Sequence, residues 1–593
     1  MKSKIENLNR RLNKLLKKIH QQESKVESIK NIRLSLGVSS LASFLALIVW
    51  PASPSNPIVY FAFSFTLLFL LFVKISTMYK GYLKKLKSYF LFLERQDLRK
   101  KGIPSGLSFK NAPTCDRDIP YDLNLIGEHS LLSLLDETWT QEGLKRILSK
   151  FESESLTEEM VLLRQKLVKS LNSIAWPLIR LRLNFDKRIK SHHESDLKYY
   201  LELPIWRNSP KLILAALNVF WLIWILLLIN NNSNSATPLV ALSFPLINLI
   251  LLQRWSNYFK SLIPIIHHLD HLLISFSFIL RHKDNYALQE WLPNSCKNSP
   301  IKTLKQLEFA SIFLGTEVNP ILHFILNALT PWSAVGSLLA YRSISKSNLS
   351  TSIEELPNLE VLVTYGIFIH YQTQVYPVFN SDKFFFEELI HPLIPRDKVV
   401  NNSFSLPSDT RLVLLTGSNM SGKSTFLRAI GINQLLANMG LPVFAKSFVT
   451  LPFQIQSCIE VADSIRDGFS YFYSEVKKLS YIDKLTKKDG LLMILVDELF
   501  RGTNNAERRT GSRGLIKKWS SRANTLSFIS SHDLDLAKEA TQFKGVACYH
   551  FTDDIDAKTN KMHFDYKIHP GPSTTTNALK IMQIEGLLSE AEV

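Results

Sequence analysis

Three short stretches of this 593-residue chain hold residue types that could together bind and cleave a nucleoside triphosphate. The first is Gly417 to Ser424, which has the spacing G-x-x-x-x-G-K-[ST]. Its glycines let backbone N–H groups close around phosphate, and a following helix would add its positive end. Gly417, Ser418, Asn419, Met420, Ser421, Gly422 and Thr425 would form the cradle. Lys423 would reach the β- and γ-phosphates, and the Ser424 hydroxyl would bind Mg²⁺. The second stretch, "GLLMILVDELFRGTNN", ends an apolar run in Asp497 and Glu498. Asp497 is placed to hold the Mg²⁺ shell and Glu498 to orient and deprotonate a water. The third, "TLSFISSHDLDLA", leads to His532. A lone histidine is usually structural, but at the end of the next predicted strand it is placed to sense the γ-phosphate. The implied cofactors are ATP and Mg²⁺.

Such residues need rigid elements behind them. "RLVLLT" reads as a strand and "STFLRAIGINQLLANM" as a helix, the context that makes the glycine loop specific. Continuous apolar strands predict a parallel sheet buried on both faces. Residues 386–593 are therefore expected to form an α/β P-loop ATPase domain.

The first half of the chain has a different character. No charged residue occurs from Leu34 to Val73, where Pro51, Pro54 and Pro57 divide two apolar runs. Leu212 to Gln253 repeats the design, with "LILAALNVFWLIWILLLI" and "LVALSFPLINLILL" separated by a polar break. A membrane-spanning helix needs about 20 mostly apolar residues, so residues 31–75 and 206–255 are expected to form transmembrane hairpins. A soluble buried hairpin is the competing reading, but soluble core helices are seldom apolar on every face. Lysines and arginines lie only on the outer flanks of both blocks, which predicts an integral protein of the inner (cytoplasmic) membrane, with the ATPase domain in the cytoplasm.

Charge follows the same division. Residues 1–100 carry 18 Lys/Arg and 5 Asp/Glu, so +13 of the net +18 lies there. Residues 1–30 read as a basic amphipathic helix that could be solvated, in a coiled coil or on lipid, and 76–116 as a basic linker helix. Anionic lipid satisfies such charge as readily as phosphodiester, so basicity alone does not identify DNA as a partner. The four cysteines lie far apart with no metal-ligand spacing, so no metal cluster is expected.

Taken together, "TGSNMSGKSTFLRAIGINQLLANMGLPVFA", "VDELFRGTNN" and "SSHDLDLA" resemble the ATPase domain of the MutS family of DNA mismatch-repair proteins, within the ABC ATPase superfamily. Asn419 and Met420 fit that family's form of the loop. "DGFSYFYSEV" is similar to its S-x-F-x-x-E signature, which implies that Ser470 reaches the nucleotide of a partner subunit. Tyr566 falls near the position that stacks on adenine, and "YKIHPGPSTTTNALKIMQIEGL" resembles the closing helix-turn-helix that pairs two ATPase domains. The resemblance implies a homodimer. Residues 117–205 and 256–385 resemble the family's helical core and lever. The expected architecture is thus a MutS-type ATPase domain behind a mostly α-helical core, preceded and interrupted by transmembrane hairpins.

The departures bear on function. Basic helix and apolar spans stand where mismatch-repair members carry a small domain with a Phe-x-Glu wedge. Phe385-Phe386-Glu387 fits that string but reads as a packing segment, and Ser421 stands where glycine is usual. The expectation is a membrane-anchored, dimeric ATPase that rearranges its helical arms, with DNA, mismatched or otherwise, as a candidate partner and DNA repair as the family's process. A slow, nucleotide-dependent membrane scaffold is the alternative. A transporter is a weaker one, since the spans carry no ionisable residues for a polar path.

Overall fold

The apolar run before the glycine loop forms strand β4 (Leu412–Thr416), buried along its whole length. The structure, a computed structural model, describes residues 2–49, 57–105, 122–152, 156–185, 268–314, 336, 339–340, 343, 349–372, 375–380, 383–418, 420–459, 471–501, 503–556 and 561–573. The expected second hairpin, Asn419, Ser470 and most of the closing helix-turn-helix lie outside these residues.

Six strands form the main sheet, in the order β10-β9-β4-β8-β7-β6. They are β6 (Gln454–Cys458), β7 (Leu492–Asp497), β8 (Thr525–Ser530), β9 (Val546–Asp556) and β10 (Lys561–Pro570), with β4 between β8 and β9. All neighbours are parallel except β9 and β10. Strands β7 and β8 are buried throughout, as apolar strands covered on both faces must be. A second sheet, ordered β1-β5-β2-β3, contains β1 (Val378–Phe379), β2 (Phe385–Leu389), β3 (Asn402–Ser405) and β5 (Ser447–Thr450). Phe386 lies wholly inside it, stacked on Phe448, so the Phe-Phe-Glu string is a packing segment of β2.

At the other end of the chain, α1 (Lys2–Val49) and α2 (Pro57–Lys100) are two long helices. They run antiparallel, with Ser40 Oγ 2.9 Å from Thr66 Oγ1 and Lys87 Nζ 2.7 Å from Glu23 Oε1. The boundaries expected at residues 30 and 75 fall inside these helices. The basic amphipathic segment is therefore the lower part of a two-helix stalk, with Ile19 buried and Leu12 and Leu15 packed on the core. Farther along, Leu34, Val38, Leu41, Phe61, Phe63 and Leu67 are exposed. Among the described residues, Val59–Lys100 is the one helix long and apolar enough to cross a membrane.

Between stalk and ATPase domain lies a helical core. Thr140 caps α3 (Gln141–Phe151) by accepting from Gly143 N at 2.9 Å, and Leu144, Ile147, Leu148 and Phe151 turn inward at helical spacing. Helix α4 (Ala175–Leu183) and the apolar α5 (Leu356–Tyr371) complete the packing. Buried Glu137 joins three segments, lying 2.7 Å from Arg99 Nη1, 3.2 Å from Arg182 Nε and 3.6 Å from Arg95 Nη2. Removing one member of such a cluster leaves uncompensated charge inside the protein, so it fixes the seating of α2.

Several bonds join the helices to the ATPase domain, among them Arg164 Nη1 to Asn438 O at 3.1 Å. Asp122 Oδ2 accepts from Ser457 Oγ at 2.8 Å and from Lys478 Nζ at 2.9 Å. On the other side α2 ends in a left-handed cap, with Gly102 at φ 75°, Gly102 N bonded to Arg99 O and Ile103 N to Leu98 O. The turn docks on the segment before β3, where Arg396 N donates to Lys101 O at 2.8 Å. A methyl group on Gly102 would stand 2.4 Å from Ile394 O, so only glycine permits this approach.

Candidate functional site

Strands β4, β7 and β8 are adjacent and parallel, so their C-terminal ends open on one edge of the sheet. This is where open α/β sheets bind ligands. The glycine loop leaves β4 and ends at Gly422, the N-cap of α6 (Lys423–Asn438), with φ 109°. An L-residue is strained there, and a methyl group would meet the Tyr566 ring at 3.3 Å. Lys423 is buried, and its Nζ donates to Gly417 O at 2.8 Å and to Ser418 O at 2.6 Å. Ser418 Oγ and Ser421 Oγ are buried without a protein partner. Orphaned hydroxyls at a helix N-terminus fit a bound phosphate. Met420 is exposed at φ 72° at the mouth of the cleft that it lines with Lys423 and Glu498.

The expected Mg²⁺ ligands have come together. Ser424 Oγ donates to Asp497 Oδ2 at 2.7 Å, across 73 residues of sequence. Ser530 Oγ donates to Asp497 Oδ1 at 2.5 Å, which fixes the carboxylate plane. A hydroxyl and a carboxylate so placed are a donor set suited to Mg²⁺ beside phosphate.

Glu498 follows at φ 60°, its N–H donating to Ser530 Oγ at 3.0 Å. His532 Nδ1 lies 3.3 Å from Glu498 Oε1. This hydrogen bond, with Arg501 nearby, holds the Glu498 carboxyl below its ordinary range against the effect of burial. His532, expected to sense the γ-phosphate, thus touches Glu498. Both line the same edge as Lys423, whose charge also reaches Glu498.

Sequence reasoning missed four participants. Arg501 sets Nη2 2.9 Å from Asp497 Oδ2 and Nε 3.3 Å from Glu498 Oε2. Its place four residues after Asp497 was the available signal. Glu475, buried on α7 (Tyr471–Leu485), accepts from Phe500 N at 2.6 Å and Arg501 N at 3.1 Å, and so anchors the turn after β7. Ser530 stands two residues before His532 but carries no motif. Asn402 bonds to Tyr566 O and Ile568 N, partners more than 160 residues away in sequence.

Two hollows meet at Tyr566. A cleft of about 400 Å³ is walled by Lys423, Ser424, Asp497, Glu498 and Arg501. A narrower recess of about 150 Å³ is lined by Leu389, Ile394, Val399, Val400 and Phe426. His391 also faces it; burial pushes its imidazole down to about 3, and its Nδ1 accepts from Leu393 N at 3.2 Å. A polar cleft for phosphate beside an apolar slot for a flat ring is the layout a nucleotide requires.

Strand, glycine loop, helix and acidic strand end define a P-loop nucleotide-binding domain. Residues 413–591 match the family model of MutS domain V, so this part of the chain is a MutS-type domain. It is 26% identical over 214 residues to the DNA mismatch repair protein MutS of Natronomonas pharaonis, covering 36% of this chain and 24% of that protein. The MutS proteins of Lactobacillus johnsonii (26% over 245 residues, 40% and 28%) and Aquifex pyrophilus (28% over 209 residues, 34% and 24%) are similar to it over comparable extents. The chain therefore spans about a quarter of the length of these relatives.

Proposed function

We propose that this protein is a membrane-anchored MutS-like ATPase that binds and hydrolyses Mg·ATP as a homodimer and couples nucleotide state to its helical arms. The observation that carries the reading is the run of α2. One helix passes from an exposed apolar half, through the buried Glu137 cluster, to a turn bonded at Arg396 to the segment that lines the nucleotide recess. Movement at either end would be felt at the other.

The Mg²⁺ of a bound Mg·ATP would supply charge neutralisation at the phosphates. Lys423, Ser424 and Asp497 would hold that group, and Thr425 lines the same cleft. Glu498 would take a proton from water, with His532 and Arg501 fixing the orientation of its carboxylate. Ser470 would complete the partner's site, as the MutS resemblance implies. DNA is a candidate partner by analogy with relatives named as mismatch-repair proteins.

A slow, nucleotide-dependent scaffold is a second reading, favoured by one feature. Arg501 pairs with both Asp497 and Glu498, so the two acids are already engaged in this conformation. Turnover by purified protein in detergent, with and without DNA, separates the readings. Single cysteines at Ser55, Asn232 and Ser573 in a cysteine-free background test the topology. With an impermeant thiol reagent on intact cells, positions 55 and 232 should label and 573 should not. Labelling of 573 alone, or extraction by carbonate, would refute the anchoring.

A further inference from the structure

Strand β10 is interrupted where it faces the nucleotide cleft. Its pairing with β9 holds at Phe564 opposite Asp553 and resumes at Ile568 opposite Phe551, with a bulge between. Tyr566 sits in the bulge at φ 55°. A bulky residue keeps such a conformation only where its surroundings impose it.

Three side chains impose it. Asn402, at the start of β3, donates Nδ2–H to Tyr566 O at 3.0 Å and accepts from Ile568 N at 2.8 Å, spanning the bulge from outside. Asp565 accepts from Lys567 N at 3.0 Å through Oδ1 and from His569 Nε2 at 2.6 Å through Oδ2, closing it from within. The Tyr566 ring is thereby held against Gly422, close enough that a methyl group there would come within 3.3 Å of Cδ1. The ring then forms a wall common to the phosphate cleft and the apolar recess. Asp565 and His569 line neither hollow, so their contribution would come through the backbone they shape.

We propose that Asn402, Asp565 and His569 are positioning residues that set the pitch of Tyr566, and that the clip they form determines affinity for the base of a purine nucleoside triphosphate. This rests on the reading of Tyr566 as the platform for the base. Bulges re-aim a side chain in this way beside functional sites, and an aromatic platform gains from stacking only at the right tilt.

The test compares ATP with inorganic triphosphate, which has the same phosphate chain and no base. Equilibrium titrations in the presence of Mg²⁺ would use full-length protein in detergent. Asp565→Ala and Tyr566→Ala should each weaken ATP binding roughly three- to tenfold, the range of one lost aromatic contact, and leave triphosphate binding unchanged. Asp565→Asn retains acceptor oxygen for the bulge and should restore most of the loss. If Asp565→Ala does not fold, His569→Ala removes only the Asp565–His569 bond and serves the same comparison. Weakened ATP binding in Tyr566→Ala with wild-type binding in the clip variants would overturn the proposal alone. Unchanged ATP binding in Tyr566→Ala would overturn the platform reading and the clip with it. Equal loss of ATP and triphosphate in the clip variants would mark a general structural role and also refute it.

Discussion

Arg501 places its guanidinium 2.9 Å from the carboxylate of Asp497, four residues earlier, on the same Oδ2 that accepts from Ser424. Asp497 lines the cleft where Mg²⁺ would bind, so the metal and the arginine would compete for one carboxylate. Arg501→Ala should lower the Mg²⁺ concentration needed for half-maximal nucleotide binding several-fold, read by titrating Mg²⁺ at fixed nucleotide. An unchanged or raised midpoint would show that the pair does not oppose the metal.

Lys423 and Glu498 should separate binding from turnover. Lys423 contacts phosphate in the ground state, whereas Glu498 acts on water during the reaction. Lys423→Ala should abolish tight nucleotide binding. Glu498→Gln should bind ATP as wild type and lose turnover by about 100-fold or more, in line with removal of a general base. Equal loss of binding in both variants would refute the assignment.

Gly102 tests the seat of the stalk. Alanine there would carry a methyl group into Ile394 O and hold an L-residue at φ 75°. The variant should lose about 1–2 kcal/mol of stability from the left-handed conformation alone. Because Ile394 lines the recess, its nucleotide affinity should also fall. Thermal denaturation and a nucleotide titration on the same preparation read both effects. A lowered melting temperature with wild-type affinity would disconnect stalk from site.

Glu360 sets a pH dependence. It accepts from Trp139 N at 2.8 Å and Thr140 N at 2.9 Å, yet burial pushes its carboxyl up to about 7 from an ordinary value of 4.5. Below the lower value the group is protonated folded or unfolded and costs nothing. Between the two the unfolded chain releases its proton while the folded chain keeps it, so stability falls as pH rises through this window. The loss could reach roughly 3 kcal/mol at 1.36 kcal/mol per pH unit. Denaturation from pH 4.5 to 7.5 should show this slope in wild type and a shallower one in Glu360→Gln. Parallel slopes would show that Glu360 is already ionised in the fold.

What the sequence determined by itself was local. The spacing of Gly417, Gly422, Lys423 and Ser424 specifies a strand-loop-helix whose bonds close within a few residues, and unbroken apolar runs announce strands buried on both faces. Asp497 and Glu498 were legible because they end such a strand. The long helices were legible as apolar blocks, although their continuity from Lys2 to Val49 and from Pro57 to Lys100 was not, since the charge change at residue 30 suggested a boundary that the backbone does not make. Only the tertiary structure decided that Asn402 would clip Tyr566, that Ser530 would fix Asp497, and that Lys101 would meet Arg396. Each depends on strand order and helix seating, with β4 between β8 and β9 and α2 locked by Glu137. Spacing along the chain records neither, because a hydrogen bond between distant residues exists only once burial of the intervening core has brought their elements together.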